Sequence, residues 1–187
     1  MTNRTFRGIP SLALAPQGRL WANWNAGVTP GEDENHSEVL STSGDGGATW
    51  TEVLVIESDG DSDGDSDWDS DGDSDGDPDG PDRVLRFDPQ RWVSPDRRLF
   101  LFWVQMGRTR SDKQLGVWCI ETKQPDAARP EWSQSRRVGD GVMMGKPLVV
   151  LSGEWVLPVS KWKEHDTSAQ RIVSVDEGKT WKRRGGS

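Results

Sequence analysis

Short apolar runs separated by tight turns dominate this chain, and no segment shows the period of an amphipathic helix. Three segments share one layout: an apolar strand, a turn and a second apolar strand that leads towards a tryptophan. Runs of Val, Ile, Leu and Trp between turns that contain Gly or Pro are typical of antiparallel hairpins. The three segments are residues 9–24, 89–103 and 147–162, with turns at Pro16-Gln17-Gly18, Pro95-Asp96-Arg97 and Ser152-Gly153-Glu154.

These hairpins recur at a regular spacing. The turns at residues 18, 97 and 153 are 79 and 56 residues apart, and removing about 24 residues of acidic repeat from the first interval leaves about 55. Two more strands follow each hairpin, so each period predicts a four-stranded antiparallel blade of a β-propeller. The predicted strands are 9–15, 19–25, 38–43 and 50–56, then 90–94, 98–105, 114–121 and 132–138, and finally 147–152, 154–161, 170–175 and 180–184.

The chain is therefore predicted to be all-β, with about three propeller blades and one insert. We place the blades in residues 1–57, 83–140 and 141–187, and the insert in residues 58–82. Propellers close with roughly 4–8 blades, so three blades leave sheet faces and edges uncovered. We expect the remaining blades to come from the C-terminal half of a longer protein; the alternative is a second copy in a dimer of half-propellers.

The pattern S-x-D-x-G-x-T-W occurs twice, each time between the third and fourth predicted strands of a blade. The Asp carboxylate can accept hydrogen bonds from nearby backbone N–H groups, and the Gly can adopt a positive φ. The Trp can fold back to cover the turn. The middle blade lacks a good copy, because residues 122–132 hold two prolines and no glycine. The pattern residues are Ser43, Asp45, Gly47, Thr49 and Trp50, and then Ser174, Asp176, Gly178, Thr180 and Trp181.

This pattern resembles the Asp box, or BNR repeat, of the sialidase (neuraminidase) superfamily. The resemblance implies a six-bladed sialidase-type β-propeller, of which this chain holds about three blades. In that family the box is a structural turn far from the active site. It therefore indicates the fold rather than the chemistry.

Charge is distributed unevenly along the chain. The net charge is −8, but residues 57–82 hold 13 of the 31 acidic residues and none of the 23 Lys and Arg, so the rest of the chain is net +5. The basic residues form no dense stripe, which argues against a nucleic-acid partner and favours a small anionic ligand. No apolar run reaches the length of a membrane span, and the first residues lack the apolar core of a signal peptide. The compartment is unknown, and cytoplasmic by default.

Two residue types contribute little to this picture. Cys119 is the single cysteine, so no intrachain disulfide can form, and its place in a predicted strand indicates a buried, inert thiol. His36 and His165 lack metal-ligand spacing, and we expect both at the surface.

The acidic insert alternates Asp with Gly or Ser almost throughout residues 59–82. One interpretation is a loop without fixed structure, because the segment buries no apolar surface and its charges repel. The other is weak calcium binding, because Asp-x-Asp-x-Asp-Gly is the first half of an EF-hand-type loop. One reading frame also places a carboxylate at position twelve, and its predicted ligands are Asp71, Asp73, Asp75 and Asp82. The predicted function itself requires no cofactor.

Three charged residues come just before the proline that opens a predicted inner strand. They are Arg7 before Ile9-Pro10, Asp88 before Pro89, and Lys146 before Pro147. The inner strands of a propeller start at one end of the central channel, so we expect these side chains to converge there on a substrate. Arg holds carboxylates in a bidentate geometry, and a partly desolvated Asp can act as an acid. The alternative is three solvated residues at strand entries.

The segment Phe6-Arg7-Gly8-Ile9-Pro10 is similar to the sialidase F/Y-R-I-P motif, with one additional Gly. In that family the arginine holds the sialic acid carboxylate. The family's acid/base aspartate lies before the strand that leads to the first box. Here that position points to Asp33, with Glu34 and Glu32 as the neighbouring candidates. The family's nucleophile is a tyrosine paired with a glutamate. This chain contains no Tyr, so we expect the nucleophile and two further arginines beyond residue 187.

Together these features predict a sialidase-like glycoside hydrolase that releases terminal acidic sugars, represented here by an incomplete N-terminal half. The alternative is a non-catalytic propeller that binds a glycan or a protein at the same end. A calcium-responsive surface protein is a third class, which depends on the acidic insert.

Overall fold

The computed structural model describes residues 4–30, 36–57, 84–107, 116–143, 145–161 and 169–186, and in these residues it contains strands and no helix. Twelve strands follow one another along the chain. They are β1 (Phe6–Leu14), β2 (Leu20–Gly27), β3 (Ser37–Ser43), β4 (Thr51–Glu57), β5 (Val84–Val93), β6 (Leu99–Gly107), β7 (Gly116–Thr122), β8 (Arg136–Gly139), β9 (Leu148–Val149), β10 (Trp155–Ser160), β11 (Ala169–Ser174) and β12 (Lys182–Gly186).

The strands form three four-stranded antiparallel sheets, each built from four consecutive strands. We call them blade 1 (β1–β4), blade 2 (β5–β8) and blade 3 (β9–β12). This arrangement confirms the predicted all-β fold with about three blades. One strand is much shorter than predicted: β9 stops at Val149 because the next turn begins at Val150, whose N–H donates to Glu154 while its carbonyl accepts from Gly153.

Strand β6 is the centre of the packing, because both of its faces are buried. Leu99, Leu101 and Trp103 belong to the core between blades 1 and 2. Phe100 and Phe102 point the other way, into the core between blades 2 and 3. Side chains alternate across a strand, so a strand covered on both faces reads as a continuous apolar run. This explains the sequence Leu99-Phe-Leu-Phe-Trp-Val104 in the middle of the chain.

Cys119 lies in β7 within the core between blades 2 and 3 and is fully buried. Burial raises the pKa of its thiol to about 12. A protonated thiol without solvent access is unreactive, so Cys119 packs as a small apolar side chain.

The two S-x-D-x-G-x-T-W turns share the hydrogen bonds of their Ser and Asp side chains. In the first, the Ser43 hydroxyl donates to Asp45 Oδ1 at 2.8 Å and accepts from the Gly47 N–H at 2.9 Å. The other carboxylate oxygen, Asp45 Oδ2, accepts from the Thr49 hydroxyl at 2.6 Å, and Trp50 Nε1 donates to the Gly47 carbonyl at 3.0 Å. The second turn repeats the Ser and Asp bonds at nearly the same distances. Each turn is thus closed by its own side chains.

The glycine of the second turn meets two requirements. Gly178 has a φ of 79°, and a Cβ at this position would lie 2.7 Å from the Trp155 ring. Any larger residue would be strained and would displace a core tryptophan.

Blade 2 has a looser version of the same turn, which the sequence pattern does not show. The Thr122 hydroxyl accepts from the Gln124 N–H at 3.1 Å, as Ser43 does from Asp45. The Gln124 side chain accepts from the Glu131 N–H at 3.2 Å, in the role that Asp45 has towards Thr49. Three additional residues separate these partners, so the spacing no longer fits the pattern.

Arginines link neighbouring blades at this end of the sheets. Arg19 of blade 1 donates to the Asp126 carbonyl of blade 2 at 2.8 Å. Arg98, in the equivalent turn of blade 2, donates to the Glu177 carbonyl of blade 3. The repeated contact shows that the turns position the next blade as well as their own strands.

We predict that Ser174→Ala lowers the free energy of unfolding by about 1–3 kcal/mol, because the buried Gly178 N–H loses its acceptor. Urea unfolding followed by tryptophan fluorescence measures this. The exposed Ser152, whose hydroxyl donates to Glu154, is the matched control, and Ser152→Ala should change stability by less than about 0.5 kcal/mol. Equal losses in the two variants would contradict the prediction.

Acid stability should depend on the same turns. Hydrogen bonds from the Thr49 hydroxyl and N–H, with the Ser43 hydroxyl, lower the pKa of Asp45 from 3.8 to about 2. The corresponding bonds from Thr180 and Ser174 lower the pKa of Asp176 to about 2. A depressed carboxyl pKa stabilises the fold above the unfolded-state pKa, and this stabilisation is lost as the pH falls through the folded-state pKa. We predict that the fall in melting temperature between about pH 4 and pH 2 is shallower in an Asp45→Asn/Asp176→Asn variant. An unchanged slope would contradict this prediction.

Candidate functional site

The three predicted substrate-binding residues, Arg7, Asp88 and Lys146, lie at the end of the sheets opposite the S-x-D-x-G-x-T-W turns. We call it the entry end, since β1 and β5 begin there and β2 and β6 end there. Arg7 pairs with Ala26 in the second ladder position of β1 and is exposed to solvent. The structure thus places Arg7 where the sequence predicted it, at the start of an inner strand.

Inner strands β1 and β5 each contain a bulge at the predicted proline. Ile9 and Pro10 together oppose Trp24, and Asp88 and Pro89 together oppose Trp103. The bulged residues Ile9 and Asp88 have positive φ values of 48° and 54°. A left-handed backbone is unusual for a side-chain-bearing residue and most unusual for a β-branched one. Such strain costs of order 1–3 kcal/mol and clusters at functional sites.

The bulges also show which residues are equivalent in the two blades. Each residue of β1 corresponds to the residue 79 positions later, so Ile9 matches Asp88, and Arg7 matches Arg86. Sequence reasoning aligned Arg7 with Asp88 and did not select Arg86. The sequence does carry a signal for the match of Arg7 with Arg86, because the turns of these two blades are also 79 residues apart.

Lys146 occupies a third register position. The β9–β10 pairing, extended by one residue, places Pro147 opposite Leu157. Pro147 is then the equivalent of Arg91 in blade 2 and of Leu12 in blade 1. Lys146 therefore matches Gln90 rather than Asp88. The three predicted substrate-binding residues come from one end of the molecule, but from three different rungs.

A layer of buried polar side chains fills the interface of blades 1 and 2 below the entry end. Asp88 is 7% exposed, and Arg91 is completely buried. The Arg91 guanidinium donates through Nη2 to the Ser11 carbonyl at 2.6 Å and also to Asn23 Oδ1. Arg91 was not identified from the sequence, because nothing in the pattern around it differs from a strand that packs on an apolar core.

A buried carboxylate, Glu38, acts on the charge of Arg91. Burial lowers the pKa of Arg91, the Glu38 carboxylate partly offsets this, and the guanidinium remains cationic at neutral pH. Glu38 is itself buried, and Asn25, with its amide nitrogen turned towards it, donates to both carboxylate oxygens at 2.9 and 3.2 Å. Among the described residues, Arg91 Nε and Nη1 have no hydrogen-bond partner.

Lys146 brings a second cation to strand β1. Its ammonium group donates to the Leu12 carbonyl, next to the Ser11 carbonyl that Arg91 holds. Desolvation and the charge of Arg91 lower the pKa of Lys146. Cations from blades 2 and 3 thus converge on consecutive residues of β1. In the described part of the chain, no contact joins Arg7 directly to Asp88 or Lys146.

His36 corrects one expectation, because it is buried and not at the surface. Its ring stacks on Phe6 with 4.8 Å between centroids and 12° between planes. A Cβ on Gly27 would come within 2.7 Å of this imidazole, so the glycine makes room for it. The stacked pair fixes the start of β1 beside Arg7.

Several predicted residues lie outside the described residues. They are the candidate acids Asp33 and Glu34, with Glu32, and the calcium candidates Asp71, Asp73, Asp75 and Asp82 of the acidic insert. Their roles stay predictions. Within the described ranges, no three His, Cys, Asp or Glu side chains are grouped so as to hold a metal ion. No helix in those ranges is long and apolar enough to cross a membrane.

A cavity of about 780 Å³ lies at the opposite end, between the turns of all three blades. Its central side chain, Arg98, already pairs with Asp96 at 2.6 Å and with Glu121 at 2.7 Å. Asp126 likewise accepts from the Gln17 N–H at 2.8 Å. The charge of Arg98 is thus compensated by two carboxylates, and Asp126 joins blades 1 and 2, so these groups connect the blades and we place the candidate site at the entry end.

Comparison with known proteins identifies the fold. No family model and no curated protein matches the sequence. Among solved structures, the chain is similar to the Hadza microbial sialidase Hz136, with a TM-score of 0.66 and 17% identity over 99% of this chain and 38% of that one. It is similar to Trypanosoma rangeli sialidase with the same score and identity, over 98% of this chain and 31% of that one. The family 117 glycoside hydrolase Zg3597 of the marine bacterium Zobellia galactanivorans has a TM-score of 0.58 and 14% identity, over 98% of this chain and 56% of that one.

The chain therefore has a sialidase-like β-propeller fold, and it spans roughly a third of the length of the two sialidases that it resembles. At these identities the likeness concerns the fold alone. What the site does has to be argued from its residues.

Proposed function

We propose that the entry end binds the terminal acidic sugar of a glycan, and that the whole protein hydrolyses its glycosidic bond as a sialidase-type glycoside hydrolase. The observation that supports this most is the convergence of Arg91 and Lys146 on adjacent carbonyls of β1, at the strand that carries Arg7. Two cations held close together favour the binding of an anionic ligand. The fold that this chain shares with sialidases and with a glycoside hydrolase agrees with a carbohydrate ligand, and the choice of an acidic sugar rests on the site residues.

In this proposal the exposed Arg7 and Lys146 hold the sugar carboxylate, Arg7 through two parallel N–H groups and Lys146 as a point charge. Asp88, on its strained bulge and almost fully buried, faces the bound sugar. Asp33 or Glu34 protonates the leaving oxygen as general acid. Sialidases use a tyrosine nucleophile, an exception to the two-carboxylate scheme. The 187 residues contain no Tyr, so a nucleophile of that kind comes from outside them.

A second candidate function is glycan or protein binding without cleavage at the same end. The absence of Tyr from these residues favours it. The two functions share the ligand-holding cations and differ in turnover, so turnover separates them.

We predict that Arg7→Ala and Lys146→Met each weaken binding of N-acetylneuraminic acid by about tenfold or more, since a hydrogen bond to a charged group is worth roughly 1.5–3 kcal/mol. Isothermal titration calorimetry measures this on the 187-residue chain. Arg183→Ala, which removes an exposed cation on the outer strand of blade 3, is the matched control.

Wild-type affinity in the Arg7 and Lys146 variants, or equal loss in the Arg183 variant, would remove the assigned roles. Absence of any binding by the wild-type chain would contradict the proposed ligand class. Turnover of a fluorogenic sialoside by a protein that contains further blades supports hydrolysis. Binding without turnover in that protein supports the second candidate.

We also propose that further blades of the same fold cover the outer faces of blades 1 and 3. Leu12 and Leu14 on β1 are 52% and 61% exposed, and Leu148 on β9 is 61% exposed. Exposed apolar patches of this kind mark contact surfaces. The remaining blades of a longer protein and a second copy of this chain are the two sources to be distinguished.

We predict that the isolated chain, of 20.8 kDa, self-associates at micromolar concentration and that Leu14→Lys with Leu148→Lys reduces this. Size-exclusion chromatography with light scattering gives the mass. A defined dimer supports closure by a second copy, and open-ended association supports missing blades. A monomer at about 100 μM would contradict the proposal.

A further inference from the structure

We propose that Arg91 is a positioning residue of the entry-end site, which holds β1 in place from within the interface of blades 1 and 2 and sets the positive potential at Lys146. This inference rests on the proposed function for its ligand, an acidic sugar. Its contacts and its charge can be tested without that ligand.

One nitrogen of Arg91 donates both to the Ser11 carbonyl of β1 and to the Asn23 side chain of β2. Ser11 is the first regularly paired residue after the bulge at Ile9 and Pro10. Arg91 itself is the second regularly paired residue after the bulge that carries Asp88. One side chain therefore ties together the two strained segments that lead to Arg7 and Asp88.

The fold does not require an arginine at position 91. The equivalent positions of the other blades carry Leu12 and Pro147, both apolar. The neighbouring part of the same interface is an apolar core around Trp21 and Leu101, with Val93 packed against it. Burying a charge costs several kcal/mol, and well-packed apolar residues of similar size are often at least as stabilising. An arginine that is fully buried at this position therefore points to a role other than packing.

Arg91 is faced by Glu38 from β3, whose two oxygens accept from Asn25, and by the neutral Asn23 and Ser11. The charge of Arg91 is thus only partly compensated, and Lys146, from blade 3, responds to it. Charges are screened weakly in a buried environment, so this effect reaches the surface group that would meet the ligand carboxylate.

The experiment compares three variants of the full chain. Arg91→Leu introduces the residue that blade 1 carries at the equivalent position. Asn23→Asp keeps the guanidinium in place and neutralises it with an isosteric carboxylate. Arg98→Met is the matched control, because Arg98 is also an arginine that links two blades, but at the opposite end.

Two readouts are measured on each variant after circular dichroism has shown that it is folded. The first is the pKa of Lys146, followed by NMR of reductively ¹³C-methylated protein, with Lys146→Arg used to assign the signal. The second is the affinity for N-acetylneuraminic acid as a function of pH. A protonated Lys146 is needed to hold the carboxylate, so binding falls as the pH rises through its pKa.

We expect Arg91→Leu and Asn23→Asp to raise the pKa of Lys146, to move the alkaline fall in affinity to higher pH, and to weaken binding at neutral pH by about tenfold. Arg98→Met should lower stability and leave both readouts unchanged. If Arg91→Leu does not fold, Asn23→Asp alone decides, since it keeps every contact of the guanidinium.

An unchanged Lys146 pKa in Asn23→Asp and in any folded Arg91→Leu protein would overturn the inference. Equal effects of Arg98→Met would overturn it as well, by showing a general loss of stability. If the wild-type chain binds no acidic sugar but the Lys146 pKa responds as expected, the proposed function fails while the role of Arg91 in setting the potential stands.

Discussion

Burial of β6 on both faces is the constraint on which the rest of this molecule depends. One face builds the core shared with blade 1, and the other builds the core shared with blade 3. Neither outer blade can be placed without it, because each contributes only one side of a core. The continuous apolar run of this strand follows from that double role. It also makes blade 2 the rigid centre against which both ends of the sheets are positioned.

Arginine has opposite roles at the two ends. At the turn end, Arg98 stacks over the Phe100 ring at 4.9 Å, pairs with two carboxylates and reaches the next blade. Its charge is compensated, so it acts as a connector. At the entry end, two nitrogens of Arg91 have no hydrogen-bond partner in the part of the chain that the structure describes. Arg98 thus joins two blades with its charge compensated, whereas the charge of Arg91 is compensated only in part. This difference in charge compensation, more than cavity size, is the reason to place the candidate site at the entry end and not at the turn end.

Much of the fold can be predicted from the sequence, because strand alternation, turn residues and the two S-x-D-x-G-x-T-W patterns are local signals. The number of blades and the twelve strands follow from them. The site is harder to predict, because it depends on register. The bulges at Ile9 and Asp88 shift β1 and β5 by one rung, and the prolines that follow them are equally typical of the first residue of a strand. Arg91 and His36 are missed for a related reason: both are polar residues in ordinary-looking segments, and only packing between elements shows that they are buried.

The bulges have one more consequence, for how such a site can change over evolutionary time. The residues before the bulge keep their partners, with Arg7 opposite Ala26 and Gly8 opposite Asn25, so the extra residue leaves both halves of β1 on their faces of the sheet. Loss of a single codon within Ile9-Pro10 would remove the left-handed residue and leave Arg7 paired with Ala26. The change would fall on the local bend and twist of the strand, and hence on the direction in which its first residues project. A propeller that has such bulges in successive blades can redirect its entry-end side chains by single-codon changes that leave the pairing of each blade intact.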